Sequence, residues 1–154
     1  MSKRTYLVSA CLLGLSTRYD GAHNRNRAVL AFCRAHNIIP VCPEQLGGLP
    51  TPRLAAEITG GDGAAVLDGK AAVLTKAGCD VTASFKYGAV QVLQLAGLHE
   101  ISGAIFKSAS PSCGSGLIYD GSFSGCRRAG DGVTTALLKR HGIHVFNEHC
   151  LLPC

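Results

Sequence analysis

The 154-residue chain predicts an α/β fold: one three-layer domain with a mostly parallel sheet and helices on both faces. Three observations lead there. Short apolar runs alternate with amphipathic stretches in the order strand, helix, strand, hairpin, helix, strand, helix, strand. Strands that alternate with helices favour parallel pairing. Hydrophobic residues make up 47% of the chain and charged residues 16%, enough to build a core without staples. No repeat, low-complexity segment or boundary interrupts the sequence, so residues 1–154 are expected to form a single domain. The expected architecture is of the Rossmann-like or flavodoxin-like kind.

Taken in order, residues 5–10 (TYLVSA) read as a buried first strand that runs into Cys11-Leu12-Leu13-Gly14. Residues 15–22 are loop, with Asp20-Gly21 as the turn signal. Between Asn24 and His36, the residues Val29, Leu30, Phe32 and Cys33 make one stripe of an amphipathic helix. Residues 38–41 (IIPV) are the second strand, and Pro40 restricts it to a sheet edge or an irregular path. Residues 43–53 (PEQLGGLPTPR) show no period, and a loop this long in a compact domain is usually functional or disordered. Residues 64–67 and 71–74 flank Asp68-Gly69 and predict a small hairpin over 64–74. A helix begins at Asp80-Val81-Thr82 and offers Ala83, Tyr87, Val90, Leu93, Leu95 and Leu98 to the core. Residues 103–106 are the next strand, 115–125 a glycine-rich loop, and 131–141 a short helix ended by Gly142. Residues 143–146 are the last strand, and the tail from His149 to Cys154 is expected to be peripheral.

Net charge is +5, a modest bias that fits an anionic or nucleotide-like ligand and equally an ordinary soluble surface. The basic patch from Arg18 to Arg27 reads as a solvated helix start, and no basic, aromatic-studded face speaks for a large RNA partner. Neither a signal peptide nor an apolar stretch near the ~20 residues of a membrane span is visible. A cytoplasmic location without a membrane partner is expected; the oligomeric state is left open. The 8 cysteines are then poor disulfide candidates, and metal, cluster or catalytic roles become the question. There is no Walker loop and no GxGxxG after the first strand, so nucleotide cofactor use has little support.

The densest chemistry lies in Lys107-Ser108-Ala109-Ser110-Pro111-Ser112-Cys113-Gly114-Ser115-Gly116, a turn fed by the 103–106 strand. Pro111 and the glycines forbid regular structure there and gather backbone amides and hydroxyls around one thiol. Ligands of an open parallel sheet bind beyond the carboxyl ends of its strands. Three cysteines stand at such ends: Cys11, Cys42 and Cys113, with 30 and 70 residues between them. Three thiolates without a fourth ligand suit an iron–sulfur cluster with one open iron, or a metal with a labile position. The bland alternative is three small buried hydrophobes. Glu44 beside Cys42 is a candidate for moving protons, or a solvated loop carboxylate. Ser108, Ser110 and Ser112 are candidates to bond a ligand, or to satisfy the turn itself. Cys33 belongs to a helical core stripe, while Cys79, Cys126, Cys150 and Cys154 carry no specific signal. Cys126 beside Arg127 and Arg128 is the one of these with a reason to be reactive.

Longer strings carry a resemblance. Val8-Ser9-Ala10-Cys11-Leu12-Leu13-Gly14, Arg18-Tyr19-Asp20-Gly21, the run from Pro40 to Arg53, Lys107 to Gly114, Tyr119-Asp120-Gly121 and Gly130-Asp131-Gly132-Val133 closely resemble the small bacterial thiouracil desulfidase family. The resemblance covers nearly the whole chain. It implies an oxygen-sensitive 4Fe–4S cluster on Cys11, Cys42 and Cys113, whose unliganded iron binds a thiocarbonyl sulfur as a Lewis acid without net redox change. It implies an enzyme that converts a thiolated pyrimidine, a thiouracil-like base or nucleoside, to the oxygen analogue and sulfide. Glu44 would be the acid/base group and Ser110 a catalytic or positioning residue; Ser108, Ser112 and Asp20 are the further substrate-binding candidates. The alternative reading is a non-catalytic iron–sulfur or thiol-based module that senses oxidants or a ligand. Sulfur transfer to tRNA is a third, against which the modest charge counts.

Overall fold

The computed structural model describes residues 3–151; residues 1–2 and 152–154, Cys154 among them, lie outside the described residues. The chain begins with β1 (Thr5–Ser9), a single 3-10 turn (Ala10–Leu13), α1 (Arg27–Arg34) and β2 (Asn37–Val41). A short helix α2 (Pro43–Leu46) follows, then β3 (Ala56–Thr59), α3 (Gly63–Leu67) and β4 (Ala72–Thr75). The long helix α4 (Thr82–Leu98) leads into β5 (Ile101–Phe106). Then come β6 (Leu117–Tyr119), β7 (Arg127–Ala129), α5 (Val133–Arg140) and β8 (Val145–Asn147).

The main sheet has the order β2-β1-β5-β8, and every pairing in it is parallel. Side chains alternate across it. Leu7, Ala104 and Phe106 pack on one face against Val92 and Ala96 of α4 and Leu138 of α5. Tyr6, Val8 and Ile105 pack on the other face against Val29, with Phe32 and Cys33 of α1 behind them. Both faces are covered, as a parallel sheet requires. The α/β architecture read from the sequence is therefore present. Pro40 sits in β2, an edge strand of the sheet.

A second core joins Ile58 of β3, Val66 of α3, Val73 of β4, Phe85 and Ala89 of α4 and Ile118 of β6. Here the sequence reading needs correction. Residues 64–67 are helix, not the first arm of a hairpin over 64–74. The Asp62 side chain accepts the Ala65 N–H at 3.0 Å and so starts α3, and Asp68-Gly69 is the exit of that helix. The antiparallel partner of β4 is β3. Residues 115–125 also hold more than loop, because β6 pairs antiparallel with β7. The core face of α4 is Phe85, Gly88, Ala89, Val92 and Ala96, whereas Ala83, Tyr87, Val90 and Leu98 are exposed. A helix apolar on nearly every side gives no periodic cue to its buried face. Among the described residues no helix is long and apolar enough to cross a membrane.

Close backbone approach seats α2 on α4. A Cβ on Gly88 would stand 2.0 Å from the Pro43 carbonyl oxygen, and one on Gly47 would stand 2.1 Å from that of Ser84. Neither contact can yield by rotating a side chain. Gly88→Ala is therefore expected to push the Cys42-Pro43-Glu44 turn off α4 and to cost at least ~1–3 kcal/mol. Thermal melting monitored by circular dichroism, beside the exposed control Gly97→Ala, checks this.

Candidate functional site

The strand order decides where a site can form. The chain leaves β1 toward β2 on one side, whereas it leaves β5 toward β8 on the other. Connections that diverge open a crevice at the carboxyl ends of the strands between them. Cys11 lies in the 3-10 turn directly after β1. Cys42 follows β2 and occupies the N-cap of α2. Cys113 is buried in the turn after β5. All three line one cavity of about 440 Å3, and Glu44, Ser108, Ser110 and Ser112 line it with them. Asp20 is not part of that wall. Its carboxylate grips Arg18, which does line the cavity, and accepts the Ala22 N–H.

The serine–cysteine turn is held from below by α5. Val133 N–H donates to the Pro111 carbonyl at 2.8 Å, and Thr134 N–H to that of Ser112 at 3.0 Å. Thr135 adds a hydroxyl bond of 2.9 Å to the Cys113 carbonyl. Amides at a helix start need acceptors, and this helix has no side-chain cap. The turn therefore caps the helix, and the helix shapes the turn. Gly132 permits the approach, since a Cβ there would stand 2.6 Å from the Ser112 carbonyl oxygen.

Hydroxyls carry the turn to Glu44. Ser110 Oγ accepts the N–H groups of Ser112 (3.2 Å) and Cys113 (3.1 Å) and lies 3.1 Å from Ser112 Oγ. Ser112 Oγ donates to Glu44 Oε2 at 3.0 Å. With two amides already donating to it, Ser110 sends its proton to Ser112, and the donor chain runs Ser110, Ser112, Glu44. Ser112 thus touches the carboxylate directly, and Ser110 acts one hydroxyl further back. The other oxygen of Glu44 accepts from Arg53 Nε at 3.2 Å. Arg53 is anchored in turn to the Thr17 carbonyl (3.0 Å) and Thr51 Oγ1 (2.8 Å).

Sequence reasoning missed Arg53 as a site residue, although it closes one of the recognised strings. Asn24, Ser9 and the Lys107–Glu148 pair were missed as well. Asn24 acts on the Cys11 thiol and Ser9 on that of Cys113, each working against the rise that burial causes. Lys107 Nζ stands 3.1 Å from Glu148 Oε2, and Glu148 Oε1 accepts the Ser108 N–H at 2.8 Å. Burial works to raise the Glu148 carboxyl, but those bonds and Lys107 outweigh it and hold it low. Such partners lie far apart in sequence, and only the spacing of the ends of β1, β2 and β5 could have signalled them.

The thiols are pushed the other way. Burial raises all three, Cys113 well above the usual thiol range. Cys11 and Cys42 raise Cys113 further, and Cys42 raises Cys11, so each pair among them lies within electrostatic reach. This donor set is soft and anionic when deprotonated, which is what a thiophilic metal group requires. Among the described residues no three Cys, His, Asp or Glu side chains stand close enough to share a single ion. Cysteine thiolates are the ligands that a multi-iron cluster takes, and these three line one cavity. Of the other cysteines, Cys33 packs against the α1-side core. Cys79 and Cys126 are exposed. Cys150 is disulfide-bonded, although the cysteines read as poor disulfide candidates.

The fold and crevice define a doubly wound α/β protein with three thiols at its switch point. The family model described as 2-thiouracil desulfurase matches residues 6–150, and the chain belongs to that family. It is 46% identical over 143 residues to the protein YbbK of Bacillus subtilis (strain 168), spanning 93% of this chain and 95% of that one. A solved structure of the 4Fe–4S-dependent thiouracil desulfidase TudS superposes with a TM-score of 0.84. It is 46% identical, and the match covers 97% of this chain and 93% of TudS. The resemblance seen in the motifs is thereby confirmed.

Raised thiols set the pH behaviour of the metal-free protein. The folded state keeps these groups neutral above the ordinary thiol value of 9.0. Their contribution to stability is thus fully present below about 9 and is lost as pH rises past it. Melting temperature is expected to hold from pH 7 to about 8.5 and to fall above 9, measured beside a Cys11/Cys42/Cys113→Ala triple variant that shows a smaller fall. Alkylation with mass mapping at pH 7.5 should label Cys79 and Cys126 first and Cys113 last.

Proposed function

We propose that this protein is a 4Fe–4S-dependent desulfidase that converts a thiolated pyrimidine, base or nucleoside, and water to the oxygen analogue and sulfide. The observation that carries the reading is the convergence of Cys11, Cys42, Cys113 and Glu44 on one cavity wall. Family membership and the likeness to TudS support it.

Cys11, Cys42 and Cys113 hold the cluster. When bound, it supplies a thiophilic Lewis acid that polarises the thiocarbonyl carbon. The overall change is C=S plus H2O to C=O plus H2S, so a base must take a proton from water and an acid must return one to departing sulfur. Glu44 does both. Its carboxylate takes one water proton as hydroxide adds to carbon and gives it to the departing sulfur. It then takes the remaining hydroxyl proton as C=O forms and passes it to the hydrosulfide, ending ionised as it began. Arg53 keeps one carboxylate oxygen occupied, so the exchange proceeds through the other, the atom that faces Ser112. The Ser110–Ser112 pair can donate to Glu44 while it is ionised and turn toward a substrate oxygen or nitrogen when it is not. Ser108 lies on the same wall, held through its backbone by Glu148, and offers its hydroxyl to the ring edge. Asp20 acts through Arg18, which it orients against the cavity.

Anaerobic reconstitution with iron and sulfide, then assay of sulfide release from 2- and 4-thiouracil, tests the reading. Activity that disappears on chelation of the iron is expected; a fully loaded protein that desulfurates no thiopyrimidine defeats it. Glu44→Gln should lower kcat by about 10²- to 10⁴-fold while the cluster's visible absorption stays intact. A loaded Glu44→Gln protein with unchanged turnover would remove the acid/base role. Ser112→Ala should fall further below wild type than Ser108→Ala in the same assay.

A further inference from the structure

Three cations line the cavity, and each already has its own carboxylate. Arg18 pairs with Asp20, Arg53 with Glu44, and Lys107 with Glu148. Glu57 of β3, which lines the cavity with Glu44, has no cation within ion-pair distance among the described residues.

Glu57 is 9% exposed. Its Oε1 accepts the Gly121 N–H at 3.0 Å and the Phe123 N–H at 3.2 Å, which ties the β6–β7 tip down over β3. That tip follows Tyr119, another residue of the wall. A Cβ on Gly121 would stand 2.6 Å from the Ile58 carbonyl oxygen, so the tip comes this close to β3 only with glycine there. Oε2 accepts nothing from any described residue. Nor is it sealed inside protein, because Thr134 Oγ1 is the sole buried side-chain polar atom without a partner among the described residues. Glu57 lines the cavity, and Oε2 is the one of its two carboxylate oxygens left open to a ligand.

We infer that Glu57 is a substrate-recognition residue whose Oε2 accepts a ring N–H of the heterocycle, and so selects cyclic thioamides that carry a hydrogen beside the thiocarbonyl. The inference rests on the desulfidase reading for the identity of the ring, but not for the existence of the acceptor. A mostly buried carboxylate oxygen prefers a donor to an empty wall, since an unmade hydrogen bond to a charged group is costly. Uracil-type rings present two N–H donors and no acceptor stronger than a carbonyl, the complement of such an oxygen. The two amides on Oε1 hold the carboxylate in place, so binding orders little that is not already ordered.

Glu57→Gln is the test. The Gln carbonyl keeps both loop amides bonded, whereas its NH2 group meets the ring N–H donor to donor. The loaded variant should raise KM for 2-thiouracil about 10- to 100-fold, the range for a hydrogen bond to a charged group, with kcat little changed. For either 1-methyl- or 3-methyl-2-thiouracil, whichever methyl occupies the contact, wild type and variant should become equally poor. A wild-type KM in the variant overturns the inference, and so does an equal rise for all three compounds, which would report a displaced loop. A binding readout does not depend on turnover: calorimetric affinity for uracil should drop in the variant and for one N-methyluracil in the wild type. If the variant melts low, the wild-type series alone decides, and equal affinity for uracil, 1-methyluracil and 3-methyluracil overturns the assignment. Loss of all turnover in the wild-type protein with uracil binding intact would defeat the desulfidase reading while leaving Glu57 as the acceptor.

Discussion

The carbonyls of Pro111 and Ser112 hang on the first-turn amides of α5, and the cavity depends on that junction. A helix start normally takes its cap from a side chain of its own approach segment. Here the approach segment is Asp131-Gly132, and the acceptors come from a loop 22 residues earlier in the chain, Val133 to Pro111 and Thr134 to Ser112. Separating the two would orphan several buried amides at once, each at a cost of about 1–3 kcal/mol. The same junction sets where Cys113 points and where the Ser110–Ser112 hydroxyls lie. Stability of α5 and geometry of the site are thus one quantity, and a substitution that relaxes either is felt by the other.

Much of the fold could be read from local sequence because its main sheet is uniform. β1 and β5 are apolar along both faces, and Pro40 announced an edge by chemistry alone. The misreadings came where local patterns were ambiguous. Ala64-Ala65-Val66-Leu67 is short and apolar, which suits a strand and a helix alike. Asp62, the residue that tips it to helix, does so through a single cap bond three residues on. Helix α4 hid its core face for a related reason. It serves two cores, so Leu and Val recur around most of its circumference, and small residues such as Gly88 and Ala89 take the tightest contacts.

The site was legible to the extent that it obeys the topology. Cys11, Cys42 and Cys113 could be grouped because each ends a strand, and Glu44 came with Cys42. What supports them could not be grouped in that way. Arg53 meets Glu44 across a loop with a cis Thr51-Pro52 bond, Glu148 reaches Ser108 from the far end of the chain, and Glu57 sits in a strand of no evident distinction. Asp20 drew notice through its place in a recognised string, yet its partner Arg18 is the one that reaches the cavity. Pairings of this sort are written in three-dimensional proximity, and a single sequence has no term for them.

The three thiols also set an order of assembly. They come from positions 11, 42 and 113, and no two share an element. The chain between Cys42 and Cys113 builds the β3–β4 pair, α3 and α4 before β5 can take its place beside β1. Until β5 docks there is no crevice, and until α5 has been synthesised the Cys113 turn has nothing to lean on. On a ribosome, α5 is among the last segments to emerge. A metal group at this site is consequently loaded after translation, into a finished scaffold. Delivery must enter through the cavity's opening rather than be folded around.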